Sequence, residues 1–74
     1  MNKELLSYIS QEVDMERVSL AIKYMDIQRA PLSVVDEGLF DQIYDLLEDY
    51  GEDNGLSEGW WMSEFEIDDI VLQL

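Results

Sequence analysis

The sequence predicts an all-α domain, a compact bundle of three or four short helices. Three observations carry this expectation. Apolar residues recur at intervals of three and four along most of the chain. Asn2, Asp14 and Asp36 stand just ahead of those apolar rows, where side chains that cap helix N-termini belong. Pro31 and the glycines at 51, 55 and 59 fall between the rows, where the chain changes direction.

A first helix is expected after Asn2, with Glu4 in its first turn and Leu5, Leu6, Ile9 and Val13 on its apolar side. A second stripe, Val18, Ala21, Ile22 and Met25, does not align with the first, so a break or kink belongs near Asp14. Helix character fades near Arg29, because Ala30 precedes Pro31 and is biased away from the α region. Residues 31–35 read as a connector.

Asp36 is the expected N-cap of the clearest helix, 37–50. Leu39, Ile43, Leu46 and Tyr50 form one apolar row, with Phe40, Tyr44 and Leu47 beside it. Gly51 occupies the place of a C-cap glycine. Residues 51–59 follow as a turn-rich loop. Ser63 and Glu66 match an S-x-x-E capping box, which predicts a last helix from about Glu64. Phe65, Ile67, Ile70, Val71 and Leu74 would supply its apolar side. A short C-terminal β-strand is the alternative, since Phe65 and Ile67 alternate with acids and Ile70-Val71-Leu72 favours strands.

Charge narrows the function. The 74 residues form one domain, with 18 acids against 4 bases and a formal net charge of −14. Residues 1–30 hold five acids and all four bases, Lys3, Arg17, Lys23 and Arg29. Residues 31–74 hold thirteen acids and no base. One half of the chain is electrostatically ordinary and the other is a dense anion. Hydrophobic residues make up 47%, too much for a disordered acidic tail. A domain this small buries only about 60% of its unfolded surface, and without cysteine no disulfide supports it. Self-repulsion of such a charge destabilises the compact state, so the acidity asks for a reason beyond solubility.

The same composition speaks against several classes. With no His and no Cys, the commonest general base, the commonest metal ligand and the thiolates of a zinc site are missing, and no cofactor is implied. The carboxylates lie on an expected helix face and a loop rather than in a cleft, so no enzymatic role is expected. The run from Asp49 to Gly55 resembles a calcium loop only superficially. Setting Gly55 at the loop's sixth position puts Tyr50 first and Trp61 twelfth, where carboxylates are required. Acyl carrier proteins are acidic helical domains of similar size, but their Asp-Ser-Leu attachment motif does not occur here. No apolar run approaches the length of about 18 residues that a membrane span needs, and a cytoplasmic location is expected. Direct contact of the acidic half with nucleic acid or anionic lipid is disfavoured.

What remains is binding to a basic protein surface. Glu37, Asp41, Asp45 and Glu48 form a ladder along one edge of the 37–50 helix, with Asp49, Glu52 and Asp53 beside it. Phosphates along a nucleic-acid strand are likewise a few ångströms apart, so such a ladder can fill an Arg/Lys-lined groove built for DNA or RNA. Trp60 and Trp61 complete the candidate site. One is expected in the core; the other, which cannot point the same way, is a candidate exposed anchor within an acidic rim. In size, acidity and lack of catalytic residues the chain resembles phage-borne inhibitors of host defence, such as anti-CRISPR and DNA-mimic proteins. The resemblance is one of overall character, carried by no specific motif. It implies a nucleic-acid-binding protein as target. The alternative is a small structural or assembly adaptor, built as a homodimer through its N-terminal helices.

Overall fold

A computed structural model describes residues 2–74. Among these residues the chain forms five helices and no strand: α1 (Lys3–Glu12), α2 (Met15–Gln28), α3 (Leu32–Val35), α4 (Glu37–Asp53) and α5 (Ile67–Gln73). The bundle measures 38 × 22 × 20 Å. Helix α4 runs through its middle and packs against α1, α3 and α5, while α2 packs against α3 and α5.

The starts of α1, α2 and α4 follow from local chemistry. The Glu4 N–H donates to Asn2 Oδ1 at 2.8 Å, and the Glu16 N–H donates to Asp14 Oδ1 at 2.9 Å. Each bond satisfies one of the orphan donors at a helix N-terminus. Val13 and Asp14 are extended and make the expected break between α1 and α2. Helix α2 ends at Arg29, whose φ of 50° is left-handed, and the Ala30 N–H returns to the Met25 carbonyl at 3.2 Å.

The expected connector over 31–35 is instead a short helix. Pro31 stands as its N-cap with φ −72°, and Leu32 is wholly buried. The Leu32 N–H donates to Asp68 Oδ1 from α5 at 3.2 Å, so a distant carboxylate serves this helix start. Asp36 then closes α3 and opens α4. Its Oδ1 accepts the Leu39 N–H at 3.1 Å, and both of its oxygens accept from the Arg17 guanidinium, at 2.7 and 2.6 Å. Gly38 makes room for this crossing, because a Cβ there would lie 2.7 Å from Arg17 Nη2.

The bonds from Arg17, and then that from the Leu39 amide, hold the Asp36 carboxyl below its ordinary pKa despite partial burial. A depressed carboxylate pKa stabilises the fold above the unfolded value, near ~3.9, and that contribution fades as pH falls through the lower folded value. Asp36→Asn keeps a capping oxygen and loses the ion pair. The variant is expected to melt below the parent chain at pH 7, with the gap closing as pH falls below the ordinary carboxylate range of about 4. A gap independent of pH in thermal melts would show that the pair contributes nothing.

Two expected boundaries move. Helix α4 does not stop at Gly51 but continues to Asp53, and the left-handed glycine is Gly55, with φ +70°. Gly51 is buried inside the helix because Trp60 lies against it. A Cβ there would sit 2.5 Å from Trp60 Nε1, so no larger residue fits without moving the indole. The expected S-x-x-E box at Ser63 does not form. Residues 57–64 make a run of turns, and α5 starts three residues later than expected, after Glu66, whose N–H donates to Asp69 Oδ2 at 3.2 Å. The C-terminal segment is helical rather than a strand, since Ile67, Ile70 and Val71 bury one face against the core.

That core takes Leu5, Ile9 and Val13 from α1, Val18 and Ala21 from α2, and Leu32 from α3. Helix α4 adds Leu39, Ile43 and Leu47, α5 adds Ile67, Ile70 and Val71, and Trp61 adds the largest side chain. Among the described residues no polar or charged residue is buried.

Candidate functional site

The lengthening of α4 reshapes the acidic edge. With Asp53 on the helix, Glu37, Asp41, Asp45, Asp49 and Asp53 fall on a single row of steps of four residues. All five are exposed, as is the neighbouring Glu52. Each step rises about 6 Å, so the row runs for roughly 24 Å along the molecule. Among the described residues the one ion pair is Arg17 with Asp36, so no lysine or arginine neutralises this row. Its field reaches Tyr8 on α1. Burial first, then the charges of Asp49, Glu12 and Asp53, hold the Tyr8 phenol above its ordinary pKa.

Glu48, expected in the ladder, leaves it. Its carboxylate turns to the 57–64 turns and accepts three hydrogen bonds. The Gly59 N–H donates at 3.0 and 3.2 Å to its two oxygens, and Trp61 Nε1 donates to Oε1 at 3.0 Å. The side chain that reads as part of a binding face is a structural strut, with its acceptor capacity directed inward.

The tryptophans are corrected as well. Neither is an exposed anchor. Trp61 is 6% exposed and belongs to the core. Trp60 is half-buried, with Nε1 donating to the Leu47 carbonyl at 2.9 Å and its ring against Gly51. Both indoles point inward because residues 57–64 turn rather than extend, so adjacent side chains are not forced to opposite sides. They join a chain of aromatic contacts across the end of α4. Tyr8 meets Tyr50 at 5.8 Å between centroids, Tyr50 meets Trp60 at 5.8 Å, and Trp60 meets Phe65 at 5.9 Å. Trp61 stacks on Phe65 at 6.3 Å and meets Tyr44 edge-on at 5.4 Å.

Beside this chain lies a feature that sequence reasoning missed. A cleft of about 770 Å³ opens between the start of α1, the end of α4, the tryptophan turns and α5. Tyr50, Trp60, Phe65 and Leu56 supply its apolar lining, and Glu64 and Asp69 its carboxylates. Its residues come from four separate segments, and only their polar–aromatic mixture near the C-terminus hinted at it.

The other chemistries weighed against the sequence can be set beside the geometry. Asp49 to Asp53 are helical, so the run that superficially resembles a calcium loop is the last turn of α4. Among the described residues no three acids are grouped to hold a metal ion. No described helix is long and apolar enough to cross a membrane. Comparison of the chain with protein-family models, with curated proteins and with solved structures returned no match.

Proposed function

We propose that this chain is a non-catalytic acidic protein that binds a basic surface of a nucleic-acid-binding protein and blocks it, in the manner of a DNA mimic. The five-carboxylate row on α4 carries this reading. It is exposed, unneutralised and regular, and it stands on a helix whose opposite side is core, so its spacing is rigid. Successive carboxylates of the row, like successive phosphates of one nucleic-acid strand, are a few ångströms apart, so the two present charge at comparable intervals. A groove lined by arginine and lysine would receive such a row along its length. The overall resemblance to phage-borne inhibitors supports the same reading and would place its action in a host cell's cytoplasm.

A second reading is favoured by one observation. Leu20, Tyr24 and Ile27 lie on the side of α2 opposite Val18 and Ala21, and they are 54%, 44% and 62% exposed. This stripe belongs to the half of the chain that is nearly neutral. It is the surface through which two strongly acidic copies could pair as an adaptor dimer with least repulsion.

One salt series separates the two. The immobilised chain is exposed to an extract of its native host from about 50 to 200 mM salt, with and without competing duplex DNA or RNA. A mimic's partner is expected to be a nucleic-acid-binding protein, to be displaced by nucleic acid, and to lose on the order of tenfold or more in affinity across that range. The triple variant Asp41→Asn, Asp45→Asn, Asp49→Asn should bind at least tenfold more weakly. Equal binding by this variant, or no nucleic-acid-binding partner, would overturn the mimic. A mass in solution that doubles with concentration and survives salt would support the adaptor.

A further inference from the structure

We propose that the cleft between α1, α4, the tryptophan turns and α5 is a seat for one arginine side chain of the protein partner. This rests on the reading above that the partner's surface is basic, and it divides the labour: the α4 row attracts, and the cleft recognises. Among the described residues the cleft is an aromatic wall with carboxylates and no cation. Tyr50 and Trp60 lie with their rings tilted by 36°, and Phe65 stands nearly perpendicular to Trp60 at 83°. The wall is held in advance. Trp60 Nε1 is spent on the Leu47 carbonyl at 2.9 Å, Gly51 admits the indole edge, and Asn2 Nδ2 donates to the Tyr50 hydroxyl at 3.4 Å. A ring fixed by such bonds loses little freedom when a guest arrives.

The charge of the guest follows from the lining. Glu64 and Asp69 line the cleft, and among the described residues no lysine or arginine pairs with either. Asp69 Oδ2 accepts the Glu66 N–H at 3.2 Å, which leaves Oδ1 without a partner among the described residues. Aromatic faces attract cations through their quadrupole, and a nearby carboxylate adds direct attraction. A guanidinium suits both at once, because it is flat enough to stack on an indole and forked enough to meet a carboxylate. The volume of about 770 Å³ lies within the range of roughly 300–1,000 Å³ typical of ligand pockets, so the side chain enters with part of its flanking backbone.

The test needs no knowledge of the target. The full chain is titrated with N-acetyl-arginine amide and with its neutral isostere, N-acetyl-citrulline amide, at about 150 mM salt, while backbone and indole N–H signals are followed by NMR. Arginine is expected to bind in the millimolar range and to move the Trp60 indole signal and the Asn54 and Gln73 amides; citrulline should leave them in place. Glu64→Gln, at an exposed turn position, should weaken arginine binding about two- to fivefold. Asp26→Asn, an exposed acid on α2 outside both the row and the cleft, should leave it unchanged. Equal response to citrulline, shifts confined to the α4 carboxylates, or an unaltered Glu64→Gln variant would overturn the proposal. Failure here together with a captured, nucleic-acid-competed partner would remove the cleft alone; arginine seated in the cleft without such a partner would remove the mimic.

Discussion

Replacing Ile43 by alanine is expected to destabilise the fold by about 2–4 kcal/mol. Ile43 is 0% exposed and lies between Leu39 and Leu47 on the buried side of α4, the helix that touches α1, α3 and α5. Truncation removes the transfer energy of the lost carbons and leaves a cavity that the surrounding helices can close only in part. A domain of this length holds only about 4–11 kcal/mol in total. The variant should therefore sit near the edge of folding, with a melting temperature lower by about 10–25 °C. Urea titration of both chains checks this. A loss below about 1 kcal/mol would mean that α4 is not the centre of the core. Leu20→Ala, on the exposed stripe of α2, serves as the control and should cost less than about 0.5 kcal/mol.

The second large effect belongs to Glu48. Glu48→Ala removes the acceptor for the Gly59 amide and the Trp61 indole together, and Trp61 is buried. Hydrogen bonds to a charged acceptor are worth more than neutral ones, and a buried N–H left without a partner bears its full desolvation cost. A loss of about 2–3 kcal/mol is expected, with a blue-to-red change in tryptophan emission as Trp61 meets water. Glu48→Gln keeps a carbonyl acceptor and should lose about 1 kcal/mol or less. If alanine and glutamine behaved alike, the carboxylate would be a solvated member of the acidic face after all. The same pair of variants separates stability from binding. Glu48→Gln should leave partner capture intact, unlike the Asp41, Asp45, Asp49 triple variant.

The contrast between Glu48 and Asp49 shows why part of the candidate site was illegible. Both are acids on the same helix, both have acidic neighbours, and helical periodicity places Glu48 in the ladder. What separates them is a turn eleven residues further on, which brings the Gly59 N–H and the Trp61 indole to Glu48. Gly51 tells the same story. Read locally, it is a helix terminator. Its function is to be small where Trp60 crosses α4, and the left-handed turn is passed to Gly55. The tryptophan pair was misread because the separation of adjacent side chains was argued for helix or strand, and residues 57–64 are neither.

By contrast, Asn2, Asp14 and Asp36 were legible because capping is decided within three residues, and the core rows of α4 because burial follows the 3.6-residue period. The sequence by itself determined the class of the fold, the starts of α1, α2 and α4, and the sign and asymmetry of the charge. These depend on composition and on neighbours along the chain. Only the tertiary structure decided which acids stay free, that Trp60 crosses α4 at Gly51, and that an aromatic cleft opens beside the last turn of α4. Each of those rests on a contact between residues nine or more positions apart, and no local pattern records which distant atom will arrive.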